Sequence, residues 1–320
     1  MKKKTVFVTG ATGFVGKHLV KKLLEDNIYI FALTRQKQAE LLGVPNIQIY
    51  IGDITERIQI PEDVSTIYHC AGVISQEEQM QKVNVEGTRR IVEAALTRGC
   101  RLIYLSSAGV VGRSNDYLIN ENTACQPQNM YERSKYEAEK IVLDGINRGL
   151  KTQILRPTII FGTGRAHNQD SFLHLLRSIK HGKYRNIGNG IYNIVHLDEV
   201  VRVMRMLDND NISNGGLYII NSPVHFKDMA RIVKAEITGR SAETGSIPYG
   251  VAFMAATLLT LISFIIRKPL PLTLSRFRAL TNKTIFSQNL LVERLNYQPL
   301  LPVEEYIKKT CHDYESAGLL

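Results

Sequence analysis

Cysteine is scarce in this chain. Its 320 residues include four, Cys70, Cys100, Cys125 and Cys311. They form no CxxC pair and have no histidine at metal-ligand spacing, so neither a disulfide framework nor a zinc site is indicated. A reducing cytoplasm is the expected compartment. Internal repeats and low-complexity tracts are lacking too. So are long runs of one charge: Lys plus Arg number 40 against 30 Asp plus Glu, but the excess of +10 is scattered, with Lys2-Lys3-Lys4 as its single run. Nucleic-acid binding is therefore not expected, and the excess suits solubility, a phosphate-bearing ligand or an anionic membrane surface. What is present is ordinary for a globular protein, 44% apolar and 22% charged residues, which excludes a mainly disordered, collagen-like or polytopic membrane chain.

Long apolar runs are nearly missing. Lys2-Lys3-Lys4 before Val6-Phe7-Val8 imitates the start of an export signal, but Thr9-Gly10 breaks the run and Lys17-His18 follow. The segment reads as a strand. The exception is Tyr249 to Ile266, 18 residues without a charge, closed by Arg267, Lys268 and Pro269. A membrane-spanning helix needs about 20 residues. Three readings compete: a buried helix, an interfacial membrane contact and a true span. Marginal length and the diluting Gly, Ser and Thr put the buried helix first.

The first 160 residues alternate short, β-branched apolar runs with segments of helical period. Thr5–Val8, Ile28–Leu33, Ile47–Ile51, Thr66–His69, Leu102–Leu105 and Gln153–Leu155 read as strands covered on both faces. This order predicts an α/β fold, a doubly wound parallel sheet of Rossmann type. After Pro157 the rhythm is irregular, with helices expected over 172–179 and 198–207 and strands over 191–197 and 217–220. The expected division is a dinucleotide-binding unit over 1–163, completed by about 192–222, and a smaller, mostly helical substrate unit over 164–191 and 223–320.

Directly after the first strand stands Thr9-Gly10-Ala11-Thr12-Gly13-Phe14-Val15-Gly16. In such a turn Gly10 permits the tight bend, Gly13 lets a pyrophosphate approach the backbone, and Gly16 lets the helix pack on the strand. The helix N-terminus then holds the anion. Gly52-Asp53 follows the third strand, where a carboxylate suits an adenine amino group. The second strand ends in Thr34-Arg35-Gln36-Lys37, two bases and no acid. A basic residue there accommodates the 2′-phosphate of NADP, whereas an acid would bind the ribose of NAD. The cofactor expected is NAD or NADP, with a slight lean to NADP.

Tyr131 and Lys135 stand one helical turn apart on one face. A phenol is a poor acid–base group near neutrality, and a neighbouring ammonium stabilises its phenolate. Ser107 follows the fifth strand, at the sheet edge where ligands sit, and its hydroxyl suits a substrate oxygen.

These motifs resemble those of the extended short-chain dehydrogenases/reductases of the NAD-dependent epimerase/dehydratase type. TGATGFVG, GDI at 52–54, YHCAG at 68–72, NVEGT at 84–88, LSSAGVVG at 105–112, YERSKYEAE at 131–139, RPTIIFGTG at 156–164 and VHLDEV at 195–200 occur in family order. The resemblance covers about the first 200 residues. It implies that Ser107, Tyr131 and Lys135 are a catalytic triad, with Tyr131 and Lys135 also expected to contact the cofactor, Lys135 by holding its ribose. It further implies that Gly10, Gly13, Phe14, Val15 and Gly16 line the pyrophosphate, with Thr12 in the same turn, and that Asp53 and Ile54 line the adenine. Ala71 and Gly72 are expected beside the ribose–phosphate path, Asn84 as a brace through backbone contacts, and Pro157 and Thr158 beside the nicotinamide. A homodimer is the expected assembly.

The substrate half departs from one pattern. Family enzymes acting on nucleotide sugars usually carry an Arg four residues before the His of their VHV-like motif; here Tyr192 precedes His196. Arg165, Lys183, Arg185 or Arg278 would then have to grip the phosphates. The ending, Leu295-Asn-Tyr-Gln-Pro299 through Thr310, is similar to that shared by epimerases and the 3β-hydroxysteroid dehydrogenase-like branch. The expected function is hydride transfer at a secondary alcohol or ketone, placed first with nucleoside-diphosphate-sugar epimerases and dehydratases. A reductase of a hydrophobic, sterol- or flavonol-like compound is the alternative, and a non-catalytic assembly subunit stands last.

Overall fold

The computed structural model describes residues 4–36, 41–114, 116–165, 170–239, 244–266, 268, 270 and 272–320. Lys2, Lys3, Lys37, Arg267 and Pro269, named above, lie outside the described residues.

The five early apolar runs form strands β1 (Thr5–Thr9), β2 (Tyr29–Thr34), β3 (Ile47–Ile51), β4 (Thr66–His69) and β5 (Arg101–Leu105). With Thr152–Pro157 and Gly216–Ile220 they make a seven-stranded sheet in the order Gly216–Ile220, Thr152–Pro157, β5, β4, β1, β2, β3. Every pairing in it is parallel. The central strands are continuous apolar runs because helices cover both faces: Val6, Phe7 and Val8 are each fully buried. On one face Leu19, Val20 and Leu23 of helix α1 (Phe14–Glu25) pack with Val200, Val203, Met204 and Leu207. On the other, Ile91, Val92 and Ala95 pack with Ala138 and Val142. Strand order reverses between β1 and β4, so the crevice outside their carboxyl ends is the ligand position of this topology.

A second layer holds a three-stranded sheet of Ile159–Phe161, Ile191–His196 and Ser222–His225. Ile191–His196 pairs there and not in the seven-stranded sheet, whereas Gly216–Ile220 extends the large one. Around the small sheet a separate core gathers Phe161, Phe172, Leu176, Phe226, Met229, Tyr306 and Tyr314.

The expectation of a buried helix over 249–266 does not hold. Tyr249–Ile266 is one helix, but 11% of it is buried, at a mean hydropathy of 2.1. Ala252 and Ala256 are its buried residues, against Ile187 and Phe277. Phe264 is 86% exposed and Ile265 76%. The cause is visible in the sequence: apolar residues run all round the helix, and its neighbours cover one small-residue strip. Among the described residues this is the one helix long and apolar enough to cross a membrane.

Candidate active site at the carboxyl edge of the sheet

The phosphate turn starts where β1 ends. Gly10 lies at φ +66°, a conformation that favours glycine. A Cβ on it would stand 2.7 Å from the Ala71 nitrogen, and one on Gly16 would stand 2.0 Å from the Gly10 carbonyl oxygen. β1, α1 and the end of β4 therefore approach more closely than any side chain allows. Gly13 precedes α1, and neither a capping side chain nor an acid occupies its first turn. The dipole and first-turn N–H groups are thus left for an anion. Thr12 and Gly13 are exposed, Val15 and Gly16 buried. The cradle fits a dinucleotide pyrophosphate.

Buried polar groups fix that cradle. Thr9 Oγ1 lies 2.6 Å from His69 Nδ1, and His69 Nε2 lies 3.0 Å from Thr88 Oγ1. Burial, with Lys135 nearby, pulls the His69 pKa down to about 3, so the ring is a neutral brace. Ala71 donates its N–H to Thr9 Oγ1 at 3.3 Å. Asn84, in a π-helical turn over Gln81–Glu86, accepts from the Val73 N–H at 2.8 Å. Its amide donates to the Val73 carbonyl and to Ser134 Oγ. Gly72 lies against it, since a Cβ there would come within 3.2 Å of Asn84 Oδ1.

Where the adenine is expected, Asp53 follows β3 and accepts from the Thr55 N–H at 2.8 Å. Partial burial works against its charge, but the Thr55 bonds, Arg35 and Lys82 hold its pKa below the ordinary value. Ile54 is buried beneath Gly87. Arg35 is exposed at the end of β2 and close enough to act on Asp53.

The residues expected to carry the proton chemistry stand at the other end of the crevice. Asn129 caps the helix Met130–Asn147 by accepting from the Glu132 N–H at 2.9 Å, which brings Tyr131 into its first turn and Lys135 one turn on. Ser107 ends the β5 segment, and its Oγ accepts from the Gly109 N–H at 3.1 Å. The structure brings Ser107 and Tyr131 together, the serine hydroxyl favouring the charged phenol. Thr158, just past Thr152–Pro157, donates to Asn221 Oδ1 at 3.0 Å, and Pro157 pairs with Ile220.

Lys135 differs from expectation. Its ammonium donates to the Leu105 carbonyl at 2.7 Å and stands 4.5 Å from the Tyr104 ring centroid. The Tyr131 pKa is raised by burial, with Ser107 and Arg165 opposing, and Lys135 is not among the groups that lower it. Burial pulls Lys135 itself down to about 8, with Glu139 and Cys70 opposing. Desolvation is the largest influence on each group.

Sequence reasoning missed the buried charges beneath this site. Glu139, one turn past Lys135, accepts from Ser106 Oγ at 2.7 Å and from Arg156 Nε at 3.1 Å on each oxygen. An arginine inside the apolar strand Thr152–Pro157 was the available signal, since a buried charge needs a partner.

Of the cations considered for the substrate half, Arg165 alone acts on Tyr131, and its guanidinium stands 4.5 Å from the Phe14 ring centroid. Arg185 donates to the Gly182 and Tyr184 carbonyls at 2.5 and 2.9 Å, while Lys183 and Arg278 are exposed. Tyr192 stacks on Phe226 at 4.6 Å, and burial pushes its pKa up to about 12. It stands four residues before His196, at the position where the nucleotide-sugar pattern calls for an arginine.

The family model described as "NAD dependent epimerase/dehydratase family" matches residues 6–220, which contain the cradle, Ser107, Tyr131 and Lys135. The chain belongs to the NAD dependent epimerase/dehydratase family. As a member it is an NAD(P)-dependent enzyme, an oxidoreductase or epimerase of the extended short-chain type. A decarboxylating sterol-4-alpha-carboxylate 3-dehydrogenase of Schizosaccharomyces pombe is 26% identical, over 97% of each chain. Sterol demethylase protein B of Methylococcus capsulatus is 31% identical over 68% of this chain and 69% of its own. The UDP-glucose 4-epimerase of Thermotoga maritima, solved with UDP-glucose, shares the fold at a TM-score of 0.74 and 19% identity, over 98% of this chain and 99% of its own. The residues above would hold a dinucleotide along the β1–β4 crevice, where its nicotinamide would supply or accept hydride.

Proposed function

We propose that this chain is a dehydrogenase or reductase of a hydrophobic, sterol-like secondary alcohol or ketone, working at a cytoplasmic membrane surface. The exposed apolar helix Tyr249–Ile266 carries the reading. Its uncovered residues include Phe253, Met254, Leu258, Leu261, Phe264 and Ile265, more apolar surface than a free protein ordinarily leaves in water. From Thr244 to Val292 the sequence has Arg267, Lys268, Arg276, Arg278 and Lys283 and no acid, so the surroundings suit anionic lipid. A bilayer is also where a sterol-like substrate resides. The sterol enzymes among the relatives, one matching nearly end to end, and the stacked Tyr192 support the same reading. In the reaction, Tyr131 exchanges the hydroxyl proton, Ser107 orients the substrate oxygen, and Lys135 holds positive charge under both.

Arg165 is the observation that favours a second reading, a sugar nucleotide whose diphosphate it would grip. The deciding assay offers a 3β-hydroxysteroid with NAD or NADP, and UDP-glucose in parallel. Nicotinamide reduction with the steroid is expected. Conversion of UDP-glucose to its 4-epimer without net reduction, and none with the steroid, overturns the proposal.

Membrane contact has its own measurement. The protein is expected to co-sediment with phosphatidylserine-containing vesicles and much less with pure phosphatidylcholine. Phe264→Glu/Ile265→Glu should lower the bound fraction at least about tenfold. Equal sedimentation of both proteins removes the helix from the contact.

Arg35 is proposed to favour NADP through the 2′-phosphate. Arg35→Asp should shift the NADP:NAD ratio of kcat/KM toward NAD by about tenfold or more. An unchanged ratio makes Arg35 a solvated surface charge.

A further inference from the structure

The charge knot under the active site connects all three chain segments that carry its chemistry. Ser106, which donates to Glu139, directly precedes Ser107. Arg156, which donates to Glu139 through Nε and also through Nη2, directly precedes Pro157 and Thr158. Glu139 lies on the Tyr131–Lys135 face of the helix Met130–Asn147, one turn beyond the lysine. The side chains of Glu139 and Arg156 are 1% and 4% exposed. Arg156 Nη2 also donates to Cys125 Sγ at 3.4 Å.

We propose that Glu139 is a positioning residue of the reaction: its carboxylate locks β5 and the strand Thr152–Pro157 onto the helix and supplies the counter-charge for the Lys135 ammonium. The groups facing Lys135 are Glu139 from its own helix, His69 and Cys70 from the end of β4, and Tyr104 and the Leu105 carbonyl from β5. Glu139 is the carboxylate in that set. Those facing Glu139 are Tyr104 from β5, Ser106 just beyond it, Lys135 from the same helix, Arg156 from the neighbouring strand, and Cys125.

The sign follows directly. Burial has already brought Lys135 down to about 8, and Glu139 is the first of the groups opposing that fall. Without the carboxylate, the ammonium loses its proton at lower pH. A reaction that needs charged Lys135 then loses its alkaline side, and the decline in kcat moves toward neutrality.

The inference rests on Tyr131 and Lys135 carrying the reaction, so the test includes a readout that needs no turnover. Lysine carrying 13C at Cε is incorporated, and the Lys135 signal is identified by its loss in Lys135→Met. Its titration midpoint is expected near 8 in the parent. In Glu139→Gln it should fall by about one pH unit or more, and in Glu139→Asp most of that fall should be restored. Glu139→Gln leaves Arg156 buried without a counter-charge, which endangers folding. Glu139→Met/Arg156→Met removes both charges and should also show a lowered midpoint. A parent-like midpoint in a folded Glu139→Gln or double variant overturns the proposal. Failure of both to fold overturns it too, making Glu139 a structural residue. Activity surviving in Tyr131→Phe would instead overturn the underlying reading, whatever Lys135 does.

Discussion

Tyr131→Phe is expected to lower turnover about a thousandfold, within the range that positioned acid–base groups contribute, while cofactor affinity changes by less than about twofold. The two halves of this result have separate causes. The phenol oxygen is the group placed to exchange a proton with a substrate hydroxyl, with Ser107 beside it. The residues proposed to contact the cofactor run along the crevice, from the turn at Gly10–Gly16 to Asp53 and Ile54, and none of them is touched by losing one oxygen. The ring itself remains, so the melting temperature should stay close to that of the parent. Steady-state rates with a 3β-hydroxysteroid and NADP, together with NADPH fluorescence titration, make the comparison. Parent-like turnover removes Tyr131 from the reaction. A collapse of cofactor affinity as large as the loss of turnover assigns it to binding instead.

The same residues show what the sequence could convey. β1 to β5 were readable because strands buried on both faces must be short, continuous apolar runs, and Val6-Phe7-Val8 is one. The turn was readable because glycine spacing reports backbone distances directly. Tyr131 and Lys135 were legible as a pair, but their electrostatics were not. Spacing places the ammonium one turn away, whereas its actual partner is the Leu105 carbonyl, a main-chain atom that no motif names. Glu139 and Arg156 join a helix to a strand 17 positions on, a pairing settled by tertiary packing. Tyr249–Ile266 shows the opposite limit: composition marks a helix as apolar, but only the placement of Ile187 and Phe277 decides how little of it is covered.

Gly16→Ala is expected to weaken dinucleotide binding by roughly a hundredfold or more, about 2.7 kcal/mol. Its new methyl would stand 2.0 Å from the Gly10 carbonyl oxygen and 2.7 Å from the Gly10 carbonyl carbon. Both obstacles are backbone, so no rotamer change relieves them, and α1 must move away from β1. Because the anion is held by the helix N-terminus, that movement withdraws its donors from the pyrophosphate. A graded series separates this cause from a general loss of helix stability. Gly13→Ala meets the same oxygen at 3.2 Å and should lose less affinity, since a few tenths of an ångström suffice. Gly250→Ala, in the exposed helix, meets nothing within 4 Å. It should leave affinity unchanged and raise stability by about 0.5–1 kcal/mol. NADH and NADPH titrations across the three variants, with thermal melts, provide the order. Equal losses at Gly13 and Gly16 would show that affinity does not follow the approach of α1 to β1.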